Sequence, residues 1–399
     1  MIRSTKHTTK FTNEDKLKEY CNFIYEYRNM VRKYINIFWH LYADNLPCYL
    51  PCYLDAKLVQ LIDTIRDHDS RIRQCAATQA CSMVKSVISK HNKRIFKLKE
   101  LQKLNFDTKY LQNKIDTFIP KKPNFRKINV ELTGRLVNFQ ESNHFDLFVE
   151  IEQIGDKRSF RIPLNHTKVS RNWEKLGKQC GSIRLNENYI TLYYEIPKVK
   201  SNGTRIIGAD QGQTTCLTLS DNQVTKCNLH GYDLSKIQDV LSRRIKGSVG
   251  FRKAQAHRKD YINWSINQLN LNNIKEFRLE KILNLRKGKK TSRKLSHWCY
   301  TLIKEKLISV SENKGFVFVE QDNKFRSQRC SACGFTHKLN RLKKVFRCKN
   351  IMCNFVTDSD LNAAFNHEVD LVEVPLLVWS KRINRTTGFY WLCDKIVYL

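Results

Sequence analysis

The sequence predicts a multidomain α+β protein whose N-terminal part is helical, whose middle is β-rich, and whose second half is α/β with an inserted cysteine ribbon. No proline lies between Pro51 and Pro120, and the first glycine is Gly134, so the early chain lacks helix breakers. Short β-rich segments separated by polar residues follow, up to about residue 200. Two cysteine pairs then stand between an apolar helix–strand pattern and a short final helix.

Apolar residues at helical spacing predict a helix from Glu14 to Trp39 and another that includes Ile72 and Ile88. The β-rich segments are 128–132, 145–151, 159–162 and 189–194, and they are typical of a small antiparallel barrel or sheet.

In the second half, an apolar strand over 205–210 ends in an acid and is followed by a turn and a return strand over 216–220. A further strand covers 277–280. An amphipathic helix runs through Leu295 and Val310 with Gly315 as its stop, and a buried strand covers 316–319.

The charge balance points to a polyanionic partner. Lys and Arg number 71 against 38 Asp and Glu, for a net charge of +33. Nucleic acid is the first candidate and an anionic membrane surface the second. No apolar run has the length of a membrane span, and the first residues lack an apolar signal core. We therefore expect a cytosolic or nuclear protein whose 14 cysteines are thiols or metal ligands rather than disulfides.

Basic residues concentrate in two stretches. Residues 85–103 hold seven bases against one acid, and residues 233–262 hold eight against three. For the first stretch, a solvated helix face and a phosphate-binding face are equally weighted interpretations. The candidate nucleic-acid contacts are Lys93, Arg94, Arg243, Arg244 and Lys253.

The strongest metal signal is the cysteine knuckle. Cys330 and Cys333 are separated by two residues, and Cys348 and Cys353 follow with a spacer of four. Four thiolates at such spacing are typical of a structural Zn²⁺ site. The alternative is a chance grouping of buried cysteines, and the longer second spacer makes Cys353 the least regular ligand.

Three acids are candidate ligands for catalytic metals, because paired divalent ions need carboxylates that converge from separate elements. Asp210 ends a strand, Glu280 ends another, and Asp360 precedes a short helix. Each has an ordinary structural interpretation: a turn residue, a solvated acid and a helix N-cap. Other acids compete with them on pattern alone: Glu276, Glu320 and Asp358.

These motifs resemble those of the TnpB proteins of transposons and of the compact type V CRISPR effectors. The segment Gly208–Gly212 with its return strand is similar to their first RuvC motif, and Ser327–Gly334 to their zinc knuckle. Asp358–Asn366 resembles their last motif, D-x-N-A-A-x-N. Residues 293–298 look like the segment after the family's catalytic glutamate, which favours Glu280 over Glu320. The specific resemblance covers about residues 200–367, and residues 371–399 have no counterpart in it.

The resemblance implies an RNase H-like (RuvC) α/β domain with an inserted zinc ribbon, and an RNA-guided DNA endonuclease. Asp210, Glu280 and Asp360 would bind two Mg²⁺, and guide RNA and target DNA would be the partners. The implied organisation has five parts: a mostly helical nucleic-acid recognition region over 1–119, a β-rich wedge-like domain over 120–203, a RuvC-like nuclease domain over 204–325, a zinc ribbon over 326–356, and the last RuvC motif with the C-terminal tail over 357–399.

Other functions stay open from the sequence: guide-dependent DNA binding without cleavage, transposon-associated DNA processing, and a structural zinc-ribbon protein that binds nucleic acid. A transposon and a CRISPR origin are both consistent with the motifs, and the sequence does not fix an oligomeric state. The expected location is the cytoplasm, with the nucleoid, in a bacterium and the nucleus in a eukaryote.

Overall fold

The computed structural model describes residues 1–43, 70–103, 107–117, 121–155, 158–282 and 293–398. The chain divides into two compact units, Met1–Pro197 and Lys198–Leu399. None of the helices in these ranges is both long enough and apolar enough to cross a bilayer.

The first unit combines helices with antiparallel strands. Its elements are β1 (Ile2–Thr8), α1 (Glu14–Ala43), α2 (Ser70–Lys103), α3 (Lys109–Asp116), β2 (Val130–Leu132), β3 (Val137–Gln140), β4 (Leu147–Glu152), β5 (Ser159–Leu164), α4 (Lys168–Leu176), β6 (Lys178–Asn186) and β7 (Tyr189–Glu195). The strands form two sheets, in the orders β1-β7-β6-β2 and β3-β4-β5.

The helices and strands of this unit share one hydrophobic core. Tyr20, Tyr27 and Tyr34 are spaced seven residues apart on α1 and are buried against α2 and the sheets. The Tyr27 hydroxyl donates to Gln79 on α2 and to the Glu131 carbonyl on β2, which ties the three elements together.

The predicted helices and β-rich segments of this unit are therefore present, but the boundary at 119/120 lies within one compact unit. The strand at the N-terminus was missed by the sequence reasoning. β1 pairs with β7 along its whole length, from Ile2 opposite Glu195 to Thr8 opposite Tyr189. Its exposed residues alternate with Arg3, Thr5 and His7, of which Thr5 and His7 are buried, so the inward face is polar and lacks the apolar pattern by which a strand is recognised.

The second unit is built on a mixed sheet followed by small ribbons. Its elements are β8 (Arg205–Asp210), β9 (Thr218–Leu219), α5 (Leu234–Arg243), α6 (Val249–Asn267), β10 (Ile274–Lys281), α7 (Arg293–Ser296), α8 (Tyr300–Lys314), β11 (Val317–Asp322), β12 (Phe335–Thr336), β13 (Arg341–Leu342), β14 (Val345–Arg347), β15 (Val356–Asp358), α9 (Ser359–Glu368), α10 (Leu376–Ser380), β16 (Phe389–Trp391) and β17 (Ile396–Tyr398).

The main sheet has the order β11-β10-β8-β9. β10 runs parallel to both β8 and β11, and β9 returns antiparallel to β8. Gly315 ends α8 in the left-handed conformation, as expected, and its N–H donates to the Ser311 carbonyl at 2.7 Å. The prediction that the next strand is buried was wrong: β11 is an edge strand, and Val317 is 57% exposed.

Helix α9 lies directly against β8 at Gly208. A Cβ atom at this position would come within 2.1 Å of the Ala364 carbonyl oxygen and 2.4 Å of the Glu368 nitrogen. Only glycine permits this approach of two backbones. The contact brings the helix that carries Asp360 onto the strand that ends in Asp210.

The C-terminal segment, which the motifs could not place, completes the ribbon region. β16 pairs antiparallel with β12, with Phe335 opposite Tyr390, and β17 then pairs with β16. A separate sheet, β13-β14-β15, leads straight into α9. Strands within residues 326–356 therefore pair with later strands at two places: β12 with β16, and β14 with β15.

We predict that Gly208→Ala destabilises the second unit by about 1–3 kcal/mol, because the added methyl group forces α9 away from β8. Chemical unfolding of the purified protein measures this. Gly250→Ala is the matched control: Gly250 lies in α6, and its Cβ would meet ordinary contacts at 3.6 Å or more. That variant should be neutral or slightly stabilised, and an equal loss in both variants would contradict the role of Gly208.

Candidate active site and metal centre

Two predicted acids meet at the carboxyl ends of parallel strands. Asp210 is the last residue of β8 and Glu280 the second-last of β10. The register pairs Leu279 with Ala209, so the two acids follow side by side. Their carboxylate oxygens and a ring nitrogen of His367 lie within 4.8 Å of one another. This group of Asp210, Glu280 and His367 is called the strand-end cluster below.

The carboxylates of the strand-end cluster are largely buried from solvent. Burial raises the pKa of Asp210, and the nearby charges of Glu280 and Asp360 raise it further. Burial also raises the pKa of Glu280 to about 7, although the Gln211 N–H donates to its Oε1 at 3.1 Å and opposes the shift. Two carboxylates that repel each other in a cleft are a donor set that suits a divalent cation.

Asp360 lines the same cleft, which has a volume of about 450 Å³. It lies in the first turn of α9 and is 5% exposed. Its carboxylate accepts hydrogen bonds from Arg341, at 3.1 Å, and from Lys344. The structure thus places Asp360 in the same cleft as Asp210 and Glu280. The Asp360 oxygens, however, form ion pairs with Arg341 and Lys344 of the β13–β14 hairpin.

The N-cap of α9 is Asp358 and not Asp360. Asp358 caps α9, since its Oδ1 accepts from the N–H groups of Asp360 and Leu361 at 2.8 and 3.1 Å. The Asp360 carboxylate is therefore not used as the cap and faces the cleft.

His367 was missed by the sequence reasoning. It lies seven residues after Asp360, about two turns along α9 and so on the same face. This spacing from a candidate acid was the available signal. The side chain is 1% exposed, and its Nδ1 is buried without a hydrogen-bond partner. Burial lowers the pKa of His367 to about 3, and the Arg326 charge acts in the same direction.

The competing acids lie elsewhere. Glu320 is on the edge strand β11, where Lys304 donates to it at 2.6 Å. Glu276 accepts from Arg278 at 2.5 Å. Neither belongs to the strand-end cluster, which supports Glu280 as the second acid. The catalytic roles of the three acids stay a prediction.

The four predicted knuckle cysteines come together. The Sγ atoms of Cys330, Cys333, Cys348 and Cys353 lie within 4.8 Å of one another and could hold a metal ion. Gly334 follows the first pair in the left-handed conformation, and its N–H donates to the Cys330 carbonyl. Burial raises the pKa of Cys330 to about 11. Metal binding would stabilise the thiolate forms that burial disfavours, so the donor set fits such an ion.

The longer second spacer does not displace Cys353. Ile351 and Met352 in this spacer are 92% and 91% exposed, so the extra residues project into solvent. The Cys353 N–H donates to the Asn350 carbonyl, which closes the turn and returns the thiol to the cluster.

The candidate nucleic-acid contacts lie on helix surfaces of the two units. Lys93 and the half-buried Arg94 are on α2, whereas the exposed residues of the second unit lie near the α5–α6 junction: Arg243, Arg244 and Lys253. Arg258, counted in the same basic stretch, is 6% exposed and donates to the His297 carbonyl. It supports the fold and is not available to a phosphate.

The chain is similar to known proteins over part of its length. A family model described as Cas12f1-like, TNB domain matches residues 300–367. Over 138 residues the chain is 30% identical to the CRISPR-associated endodeoxyribonuclease Cas12f1 of Sulfoacidibacillus thermotolerans, covering 34% of this chain and 31% of that protein. It is 26% identical over 178 residues to the putative transposase A625R of Paramecium bursaria Chlorella virus 1, covering 42% and 38%. These alignments span about a third of the length of the curated relatives.

The fold likeness extends further than the sequence likeness. The cryo-EM structure of a Cas12f1–sgRNA–target DNA complex matches 87% of this chain and 81% of that chain, with a TM-score of 0.50 and 15% identity. The chain thus has a mixed α/β multidomain fold like that of Cas12f1. The resemblance to TnpB-like compact type V effectors that the motifs predict is confirmed, by the TNB domain match and by the fold of most of the chain.

Proposed function

We propose that this chain is an RNA-guided DNA endonuclease that hydrolyses phosphodiester bonds at the cleft of Asp210, Glu280 and Asp360. The observation that carries the proposal is that these acids reach one cleft from three separate elements, β8, β10 and the start of α9. The mixed sheet, with an acid at the end of its central strand, supports an RNase H-like (RuvC) fold for this part.

The residues fit a pair of divalent ions, for which we propose Mg²⁺. Asp210, Glu280 and Asp360 would hold them, because oxygen ligands suit Mg²⁺. When bound, one ion would activate water and the other would stabilise the leaving oxygen. The protein itself holds the carboxylates in position. The Gln211 N–H holds Glu280, and Arg341 and Lys344 beside Asp360 supply positive charge where a phosphate would enter.

Guide RNA and target DNA are the proposed partners. The solved relative is a complex with sgRNA and target DNA, and the net charge of +33 suits two polyanions. Phosphate contacts are proposed for Lys93, Arg94, Arg243, Arg244 and Lys253. For the knuckle we propose Zn²⁺, since four thiolates are its usual structural ligand set. We expect the protein to work where DNA is, in a nucleoid or a nucleus.

Two alternatives share this fold. One is guide-dependent DNA binding without cleavage, and the ion pairs of Asp360 with Arg341 and Lys344 are the observation that favours it. The other is transposon-associated DNA processing, suggested by the similarity to a putative transposase. The presence of all three acids at one cleft favours cleavage over both.

We predict that Asp210→Ala, Asp360→Ala and Glu280→Gln each reduce cleavage at least about 10²-fold while leaving guide RNA binding intact. Each change removes a negative charge from the metal donor set. Cleavage of guide-matched DNA in Mg²⁺ measures the effect.

Glu320→Gln is the matched control for Glu280→Gln, because Glu320 lies on β11 and pairs with Lys304. It should cut normally. Asp358→Ala should be milder than Asp360→Ala, because Asp358 caps the helix. If Glu280→Gln cut normally and Glu320→Gln did not cut, the assignment of Glu280 as the second acid would be wrong.

We predict a steep fall of nucleic-acid affinity with salt, and a smaller slope after charge reversal at Arg243 and Arg244. Each lost phosphate contact lowers the slope of log K against log salt by about one unit. Charge reversal at the exposed pair Lys381 and Arg382, outside both basic stretches, is the control and should leave the slope unchanged. A flat salt response of the wild type would rule out phosphate contacts.

We predict one zinc per chain, measured by elemental analysis of the purified protein. Cys330→Ser should lose it, because the site then lacks a buried ligand. Cys227→Ser is the control, since Cys227 is an exposed cysteine outside the cluster. An unchanged zinc content in Cys330→Ser would contradict the assignment of Cys330 as a zinc ligand.

A further inference from the structure

His367 has no role in the function proposed above, yet it occupies the cleft of that function. Its side chain is 1% exposed, and its Nδ1 is buried without a hydrogen-bond partner. Leaving a polar atom buried and unpaired costs about 1–3 kcal/mol. A ring nitrogen lies within 4.8 Å of carboxylate oxygens of both Asp210 and Glu280. One ring nitrogen of His367 therefore stands beside two carboxylates, as in a mixed carboxylate–imidazole metal site.

The helix that carries His367 is fixed on several sides. Arg278 donates to the Glu368 carbonyl at 2.8 Å, and Arg326 donates to the Val369 carbonyl at 3.1 Å. At Gly208, a Cβ would lie 2.7 Å from the carbonyl carbon of His367 itself. These contacts hold the backbone of His367 against the strand of Asp210, so the position of the residue does not depend on a bound ion.

The third acid does not fill this position. Asp360 reaches the cleft, but its oxygens accept from Arg341 and Lys344, and it is not one of the three groups within 4.8 Å. The strand-end cluster therefore offers two carboxylates and one imidazole. Mg²⁺ selects oxygen ligands, whereas an imidazole nitrogen raises the affinity for divalent ions of the first transition row.

We infer that His367 is a third protein ligand at the Asp210–Glu280 metal position, and that it shifts this position from Mg²⁺ towards a divalent transition ion such as Mn²⁺. The inference rests on the proposed function, because it concerns the same cleft. It assigns a ligand and an ion preference that the three-carboxylate site does not have.

Mn²⁺ bound to the full-length protein, without RNA or DNA, tests the inference by pulsed EPR. A coordinated imidazole gives a ¹⁴N modulation, which should change to the ¹⁵N pattern when the wild type is grown with ¹⁵N-histidine. His367→Gln should lose the modulation, and Asp210→Asn should lose the tightly bound Mn²⁺. His7→Gln is the matched control, since His7 is also 1% exposed but lies in the first unit, and it should keep the signal.

Competition between the two ions gives a second readout. The ratio of Mn²⁺ to Mg²⁺ affinity should fall about tenfold or more in His367→Gln. Absence of nitrogen coupling in the wild type overturns the inference whether or not the variant folds. An unchanged modulation or affinity ratio in a folded His367→Gln protein also overturns it. Nitrogen coupling in a protein that does not cut guide-matched DNA would support the inference and reject the proposed function.

Discussion

The close approach of α9 to Gly208 is the constraint on which the candidate site depends. The acids of β8 and β10 are brought together by parallel pairing alone, but Asp360 and His367 come from a helix that begins nearly eighty residues after the end of β10. They reach the cleft because a glycine lets the helix backbone touch the strand. A side chain at 208 would displace the helix and separate its groups from Asp210.

Buried arginines hold the other end of this helix. Arg278 and Arg326, both about 95% buried, donate to carbonyl groups at its C-terminal end, where the backbone carries partial negative charge. Arg329 donates to the Asn366 side chain at 2.6 Å, which links the helix to the knuckle. The segment Asp358–Asn366 therefore has a structural role of its own: Asn362 and Asn366 both donate to the Arg329 carbonyl, next to Cys330.

The sequence predicts the individual strands and helices of this site better than it predicts which of them contact one another. The strand ending at Asp210, the strand with Glu280 and the stop at Gly315 each depend on local rules of periodicity and capping, and they were found where expected. His367 could not be recognised, because its significance comes from a partner strand far away in the chain. Nor could the burial of Arg258 be read from a stretch of bases, since it depends on the carbonyl of His297. The strand at residues 2–8 was missed for the same reason, because its stability comes from β7.

The knuckle and the cleft are joined by continuous backbone, and this has a consequence for both. The hairpin of β13 and β14 places Arg341 and Lys344 on Asp360, and β14 leads directly to Cys348. β15 then pairs with β14 and passes into α9 without a break. Phe346 is fully buried between these strands beside the cysteines. One short sheet thus leads to Cys348, carries Arg341 and Lys344, and continues into α9. We therefore expect that loss of order at the cysteines would also remove the support of Asp360. The cysteine cluster thus shares its supporting sheet with the charged groups of the cleft, although none of its thiols lines the cleft.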